Sequence, residues 1–284
     1  MRDLCRKMHR LCDDKPYHVG WYLKNLTTGE AAERHGDVVV TSASTRKIAI
    51  MMTALKMVKE GRLSLDQPIT IEAKYQDNNS GTFQHLRPGF TITLHDVLTM
   101  MIIVSDNTCT GTVVDMVGLD RINDLCQSIG MVGTTHRHGT GTPKGGYSTP
   151  LSVEETNATT PRDLGILLDT ILKGTEDVET ANRLGCTPDL CERGMTMLRR
   201  QRLQTRLPFL LPRGARVAHK TGTGRSNVND AGIVYSQQDN PLFILTVLTD
   251  GVPVNDLCDG IPGFASAQWL ISRLARLCYD SMSQ

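Results

Sequence analysis

A serine three residues ahead of a lysine, at the head of an apolar run, is the arrangement in this chain best suited to do chemistry. The stretch is Ser44-Thr45-Arg46-Lys47, followed by Ile48-Ala49-Ile50-Met51-Met52-Thr53-Ala54-Leu55-Lys56-Met57-Val58. The run is apolar on nearly every face and has no Pro or Gly before Gly61, which predicts a buried helix. Ser44 then sits at its first turn, and Ser44 and Lys47 share one helical face. A serine hydroxyl attacks only when a base takes its proton. A lysine is such a base when burial beside other cations lowers its pKa. The helix N-terminus adds N–H groups where an oxyanion would form. Ser-x-x-Lys is expected about once by chance in a chain this long, so the reading depends on partners elsewhere.

Two further triplets supply them. Ser105-Asp106-Asn107 falls in a predicted inter-helix loop, and Lys220-Thr221-Gly222 falls in a predicted strand. The three motifs, in this order and context, resemble the signature of class A β-lactamases and penicillin-binding-protein-like serine hydrolases. The resemblance extends to the stretches 57–66, 93–107, 159–161 and 218–224, and spans about residues 17–279. It implies an α/β, β-lactamase-like fold: an antiparallel sheet flanked by terminal helices, with an inserted all-helical lobe. It implies that Ser44 is acylated, that Lys47 is its base or proton relay, and that Ser105 passes a proton to the leaving nitrogen. It implies that Asn107 holds the substrate's side-chain amide, and that Lys220 lends positive charge to the cleft. Thr221, Gly222 and Thr223 belong to the substrate-binding strand. The oxyanion would lie between the N–H groups of Ser44 and Thr223. Arg225 is a candidate carboxylate partner by position, or else a solvated surface residue.

The chain departs from the family at one point. Class A β-lactamases carry a glutamate, in the loop before the Thr-Thr-Pro segment, that directs the deacylating water. Here the stretch 139–148 reads Gly-Thr-Gly-Thr-Pro-Lys-Gly-Gly-Tyr-Ser, with no acid. Glu154 and Glu155 are the nearest, only six or seven residues before Pro161, and are the candidates for deacylation. The expectation is a serine hydrolase that forms an acyl-enzyme on a β-lactam, peptide or small ester, with impaired release. The alternative is a slow-releasing β-lactam or peptidoglycan-fragment binder, carboxypeptidase-like or a sensor.

The elements that must position these groups follow from periodicity and turn residues. A helix is predicted over 2–13, a strand over 17–26 and a short strand at 38–40. Helices follow over 94–104, 112–117 and 119–129, and a Gly/Thr/Pro-rich loop fills 133–150. Thr160 caps a helix that has Pro161 in its first turn and ends at Gly174. Helical pieces occupy 176–212. Strands are predicted over 216–223, 230–236 and 242–249, and a closing helix over 264–279. Strands at both ends of the chain most simply share one sheet. That divides the single β-lactamase-like unit into an α/β lobe, 1–43 with 213–284, and a helical lobe, 44–212.

The chain has 284 residues and a net charge of +1, so nothing in its charge suggests a nucleic-acid or membrane-surface binder. No apolar run approaches the roughly 20 residues of a membrane span. The basic start lacks an apolar block. The expected location is therefore cytoplasmic if the chain is complete, or exported if a signal has been removed. Eight cysteines include no CxxC pair. Cys186 and Cys191 could pair, but free buried thiols are the expectation. His136 and His138 flank Arg137 and read as loop residues, and His219 should face away from the cleft. Neither a metal nor a cofactor is called for.

Overall fold

Alternation along the strands creates a sheet with two apolar faces, and helices cover both. The computed structural model describes residues 1–139 and 152–283. In chain order it runs α1 (Arg2–Asp13), β1 (His18–Asn25), β2 (Ala31–Arg34), β3 (Val40–Thr41), a 3₁₀ turn (Ala43–Arg46) and α2 (Lys47–Lys59). It continues with β4 (Pro68–Thr70), β5 (Thr91–Thr93), α3 (Leu94–Ile103), α4 (Asn107–Val117), α5 (Leu119–Ser128), β6 (Ala158–Thr159) and α6 (Pro161–Gly174). It closes with α7 (Val178–Arg183), α8 (Pro188–Arg199), β7 (Arg216–Thr223), β8 (Val228–Tyr235), β9 (Pro241–Asp250) and α9 (Gly263–Met282).

The main sheet is antiparallel, in the order β2-β1-β9-β8-β7. The N-terminal strand β1 pairs with β9 along its length, from His18 opposite Asp250 to Asn25 opposite Phe243. Both ends of the chain therefore build one sheet. In β9, Phe243, Leu245 and Val247 face a cluster shared with α1 and α9, whereas Ile244 and Leu248 face the helices of the middle. This is the period-two pattern of a strand buried on both sides. The division into lobes at 44 and 212 stays a proposal, since one hydrophobic cluster runs without a break from α2–α8 onto the sheet's inner face.

α2 is the axis of that cluster. Every residue from Lys47 to Leu55 is buried. Gly61, at φ +69°, ends the run in the left-handed conformation a Cβ disfavours, and Arg62 N bonds back to Met57 O at 3.0 Å. α6 starts as its sequence predicts. The Thr160 hydroxyl accepts from Asp163 N at 3.0 Å, with Pro161 at the first turn.

Some elements differ from expectation. The strand at 38–40 shrinks to Val40–Thr41, paired with Ala158–Thr159, and Val38 and Val39 are exposed. α4 begins at Asn107 rather than near 112. Its early threonines disguise a buried helix, because Thr110 and Thr112 return their hydroxyls to the carbonyls of Asp106 and Thr108 at 2.8 and 2.9 Å. β2, a half-exposed edge strand, shows no alternation and escaped notice. The cysteines are free thiols, Cys186 and Cys191 included. No helix among the described residues is long and apolar enough to cross a membrane.

Gly232 marks the tightest approach in the sheet. A Cβ there would lie 2.5 Å from the His219 Cβ and 2.9 Å from the Ala218 carbonyl oxygen. Gly232→Ala should therefore cost about 1–3 kcal/mol by overpacking, read as a lowered midpoint in urea unfolding. An unchanged midpoint would show that β7 and β8 can separate without cost.

Candidate active site

The three motifs converge at the inner edge of the sheet, where the 3₁₀ turn, the α3–α4 junction and β7 meet. Ser44 is half-buried in the turn, and Ala43 before it holds φ +46°. The turn is pinned from two sides. Ser42 donates its N–H and its hydroxyl to the Asn157 carbonyl at 2.9 and 3.0 Å. On the other side β7 packs so closely that a Cβ on Gly222 would lie 3.0 Å from the Ser42 carbonyl oxygen and 3.2 Å from the Ser44 nitrogen. Gly222 is thus the position at which only a hydrogen side chain lets the strand reach the serine turn.

Lys47 is fully buried and reaches the second motif. Its Nζ lies 2.7 Å from the Ser105 carbonyl oxygen, 2.8 Å from Asn107 Oδ1 and 3.1 Å from Ser105 Oγ. Burial drives its pKa down to about 7; the Asp106 carboxylate opposes this and the Arg46 charge reinforces it. Ser105 sits at φ +59°. Its turn is held by Asp106, whose carboxylate accepts from Thr82 N, Phe83 N and Cys109 N at 2.7, 2.8 and 3.1 Å. Ser80 adds bonds to the Ser105 carbonyl (2.9 Å) and from Asn107 N (3.0 Å).

Lys220 is also fully buried and donates to the Thr221 carbonyl at 2.8 Å. Burial holds its pKa well below the usual lysine range, with Lys47 and Arg206 adding to the fall and Asp230 opposing it. Thr221 is buried and Thr223 exposed.

The remaining candidates lie elsewhere. Arg225 is exposed in the turn after β7. Glu154 and Glu155 are both exposed, and the Glu155 carboxylate accepts from Ser152 N at 2.9 Å, which holds it below its ordinary pKa. No hydrogen bond among the described residues joins either to Ser44 or Lys47. The acid-free stretch falls outside the described residues from Thr140 onward. His136 is buried with Nε2 3.9 Å from Cys126 Sγ. The buried His219 ring donates from Nδ1 to Asp230 at 2.9 Å.

Sequence reasoning overlooked two buried charges. Arg206 donates to the Gly222 carbonyl at 2.7 Å and also to the Asn229 carbonyl and the Thr223 hydroxyl. Burial lowers its pKa to about 10 against the pull of Asp230. Asp230 also accepts from Leu207 N at 3.1 Å. An aspartate opening the apolar strand Ala231-Gly232-Ile233-Val234 was the available signal, because an isolated acid is rarely fully buried without a partner. Arg206 gave no such signal, since its partners lie on distant strands.

A β-lactamase fold with a Ser-x-x-Lys turn, a Ser-Asp-Asn turn and a Lys-Thr-Gly strand around one cleft is a serine-hydrolase architecture. The chain matches the model of the Beta-lactamase enzyme family over residues 3–282 and belongs to that family. It is similar to a β-lactamase from Sphaerobacter thermophilus DSM 20745, at 26% identity and TM-score 0.82, over 98% of this chain and 96% of that one. It is similar to PBP-A at 27% identity and TM-score 0.82, over 99% and 96% of the two chains. A β-lactamase from Chitinophaga pinensis DSM 2588 shares the fold, at 22% identity and TM-score 0.83, over 98% and 99%. No curated protein sequence matches the chain.

Asp230 binds the His219 ring at 2.9 Å, and its charge is felt by both Lys220 and Arg206. Asp230→Asn keeps the shape and removes the charge, so it should lower stability by about 3 kcal/mol, as when one partner of a buried pair is lost. Urea unfolding checks this; a loss below about 0.5 kcal/mol would show that the cations do not rely on it.

Proposed function

We propose that this protein is a serine hydrolase in which Ser44 is acylated by a β-lactam or a related small amide or ester, and that the acyl-enzyme is released slowly. The state of Lys47 is the observation that carries the reading. With its pKa near 7, a large share of the side chain is neutral at neutral pH. A neutral amine has two N–H donors and one lone pair. The Ser105 and Asn107 carbonyl oxygens can accept only, and so take the donors. The lone pair is left for a hydroxyl proton.

In this scheme Ser44 Oγ attacks the carbonyl carbon while its proton passes to Lys47 Nζ. The C–N bond then breaks, and the leaving nitrogen takes the Ser105 proton, which Lys47 replaces across their 3.1 Å contact. Lys220, Thr221 and Thr223 favour an anionic group on the substrate, with Arg206 supporting Thr223 from behind and Arg225 available at the rim. Asn107 would hold a side-chain amide. Slow release is supported by the acid-free stretch 139–148 and by the outward position of Glu154 and Glu155.

A second reading, a penicillin binder that is acylated and stays so, draws support from the similarity to PBP-A. A leucine-to-glutamate variant of that protein is described as an acyl-enzyme complex with penicillin-G.

Because the base works only when neutral, the acylation rate should rise with pH through about 7 and then level off. Lys47→Ala should lower it by roughly 10²–10⁴-fold, and Lys47→Arg should not restore it. Stopped-flow acylation by nitrocefin tests both, and a near-native Lys47→Arg rate would sink the base assignment.

Release is tested separately. A penicilloyl adduct on Ser44 should persist for minutes by intact-mass spectrometry, and Glu154→Gln or Glu155→Gln should leave its lifetime unchanged. Rapid loss of the adduct, abolished by either substitution, would place the missing acid there and make this an efficient β-lactamase.

A further inference from the structure

We propose that the face formed by α1, α9 and the turn at 207–211 docks on an anionic lipid bilayer. The first observation is an aromatic pair left in water. Phe209 and Trp269 are 57% and 45% exposed and meet edge to face, with centroids 6.3 Å apart. Large rings are normally withdrawn from solvent, and amphipathic Trp is favoured where apolar and wet regions meet.

The second observation is what borders the pair. Beside Phe209, a cavity of about 410 Å³ has Leu11, Leu210 and Leu277 among its walls. Lys7, Arg10, Arg273 and Arg276 line the same cavity with one acid, Asp280, which Arg276 engages at 2.8 Å, while Lys7 also pairs with the neighbouring Asp3 at 2.9 Å. Arg276 also donates to the Leu210 carbonyl at 3.1 Å, fixing the turn to α9. Trp269, Arg273 and Arg276 recur at helical spacing on α9, so rings and cations share one face. The third observation is the segment itself. From Arg193 to Asn229 there is no aspartate or glutamate, so no carboxylate near Phe209 in sequence would repel an anionic surface.

Rings flanked by long cationic side chains suit a bilayer better than a dissolved anion, for which the exposed aromatic edges would have no use. Lys and Arg can reach the headgroups while their stems lie along apolar surface. Cations near such a surface attract it additively. Phe209 lies three residues beyond Arg206, so docking would hold Arg206 within about 10 Å of chain from the lipid. The proposal does not depend on the serine chemistry.

The test uses the intact chain and sonicated vesicles. Trp21 is fully buried and Trp269 is the other tryptophan, so a change in the solvent-exposed emission reports on Trp269. Vesicles of phosphatidylcholine with about one-third phosphatidylglycerol should bind the protein, shift that emission to the blue and shield it from acrylamide. Phosphatidylcholine alone should do so far less, and added salt should reverse the effect. Arg273→Glu and Lys7→Glu, both on exposed positions, should each weaken binding by roughly tenfold or more with an unchanged circular dichroism spectrum. Trp269→Ser should reduce binding measured by co-sedimentation. Equal binding to both vesicle types would overturn the proposal. So would full protection of Trp269 by glycerophosphate alone, or by self-association without lipid.

Discussion

Two fully buried lysine side chains lie close enough to feel each other's charge, and the rest of the site is organised around keeping them there. Lys47 and Lys220 are among the largest fully buried side chains. Burial disfavours the ammonium form of each, and Lys220 also feels the charge of Lys47. The compensation follows one plan on both sides. Lys47 sits between the Asp106 carboxylate, which favours its charge, and Arg46, which opposes it. Lys220 feels the Asp230 carboxylate and the Arg206 charge in the same two roles. Each carboxylate is fully buried and also binds backbone N–H groups, Asp106 at the start of α4 and Asp230 at Leu207. A carboxylate held this way cannot turn to quench its lysine completely. Burial, only partly offset by Asp106, leaves the Lys47 pKa at about 7.

Holding these charges takes backbone geometry that ordinary residues avoid. Ala43 and Ser105, both non-glycine, lie at positive φ, the first in the serine turn and the second in the turn that binds the Lys47 amine. Such conformations cost of order 1 kcal/mol or more and persist where neighbours over-determine them. Those neighbours are visible. Thr45 returns its hydroxyl to Ser42 O at 2.6 Å, and the Ser105 carbonyl accepts from both Lys47 and Ser80. Gly222 removes the last obstacle by letting β7 close on the serine turn. The close approach of strand to turn and the strain in the turn are therefore two sides of one packing problem.

What could be read from sequence divides along physical lines. The buried helix after Ser44, the capped start of α6 and four of the five strands of the main sheet were legible because periodicity and capping are local. So was the pairing of the two chain ends in one sheet, since their strands had no other apolar partner. The residues of the three motifs were legible through their types and order. Arg206 was not, because a buried cation is defined by partners that the fold supplies from β7 and β8. The start of α4 was missed because threonines that bond to their own helix look polar in sequence and behave as core. The 38–40 strand failed for the opposite reason. Its valines have β propensity, but most of that stretch finds no strand to pair with.

The described end of the segment before β6 bears on how the proposed acylation and release could be separated. Its foot is fixed to the serine turn through Asn157. That residue's carbonyl accepts from Ser42, and its side chain accepts from Arg137 N and His138 N at 2.8 and 3.1 Å. Asn157 therefore ties this end of the segment to the Ser44 turn. Among the described residues, the bonds that position Ser44, Lys47 and Ser105 involve no acid of this segment. Glu155, the acid nearest that foot, is bound back to Ser152 in its own turn. A chain of this kind can keep every group the proposed attack requires and still lack the one that would direct water. The step from a hydrolase to a long-lived acyl-protein then needs no change in the buried core.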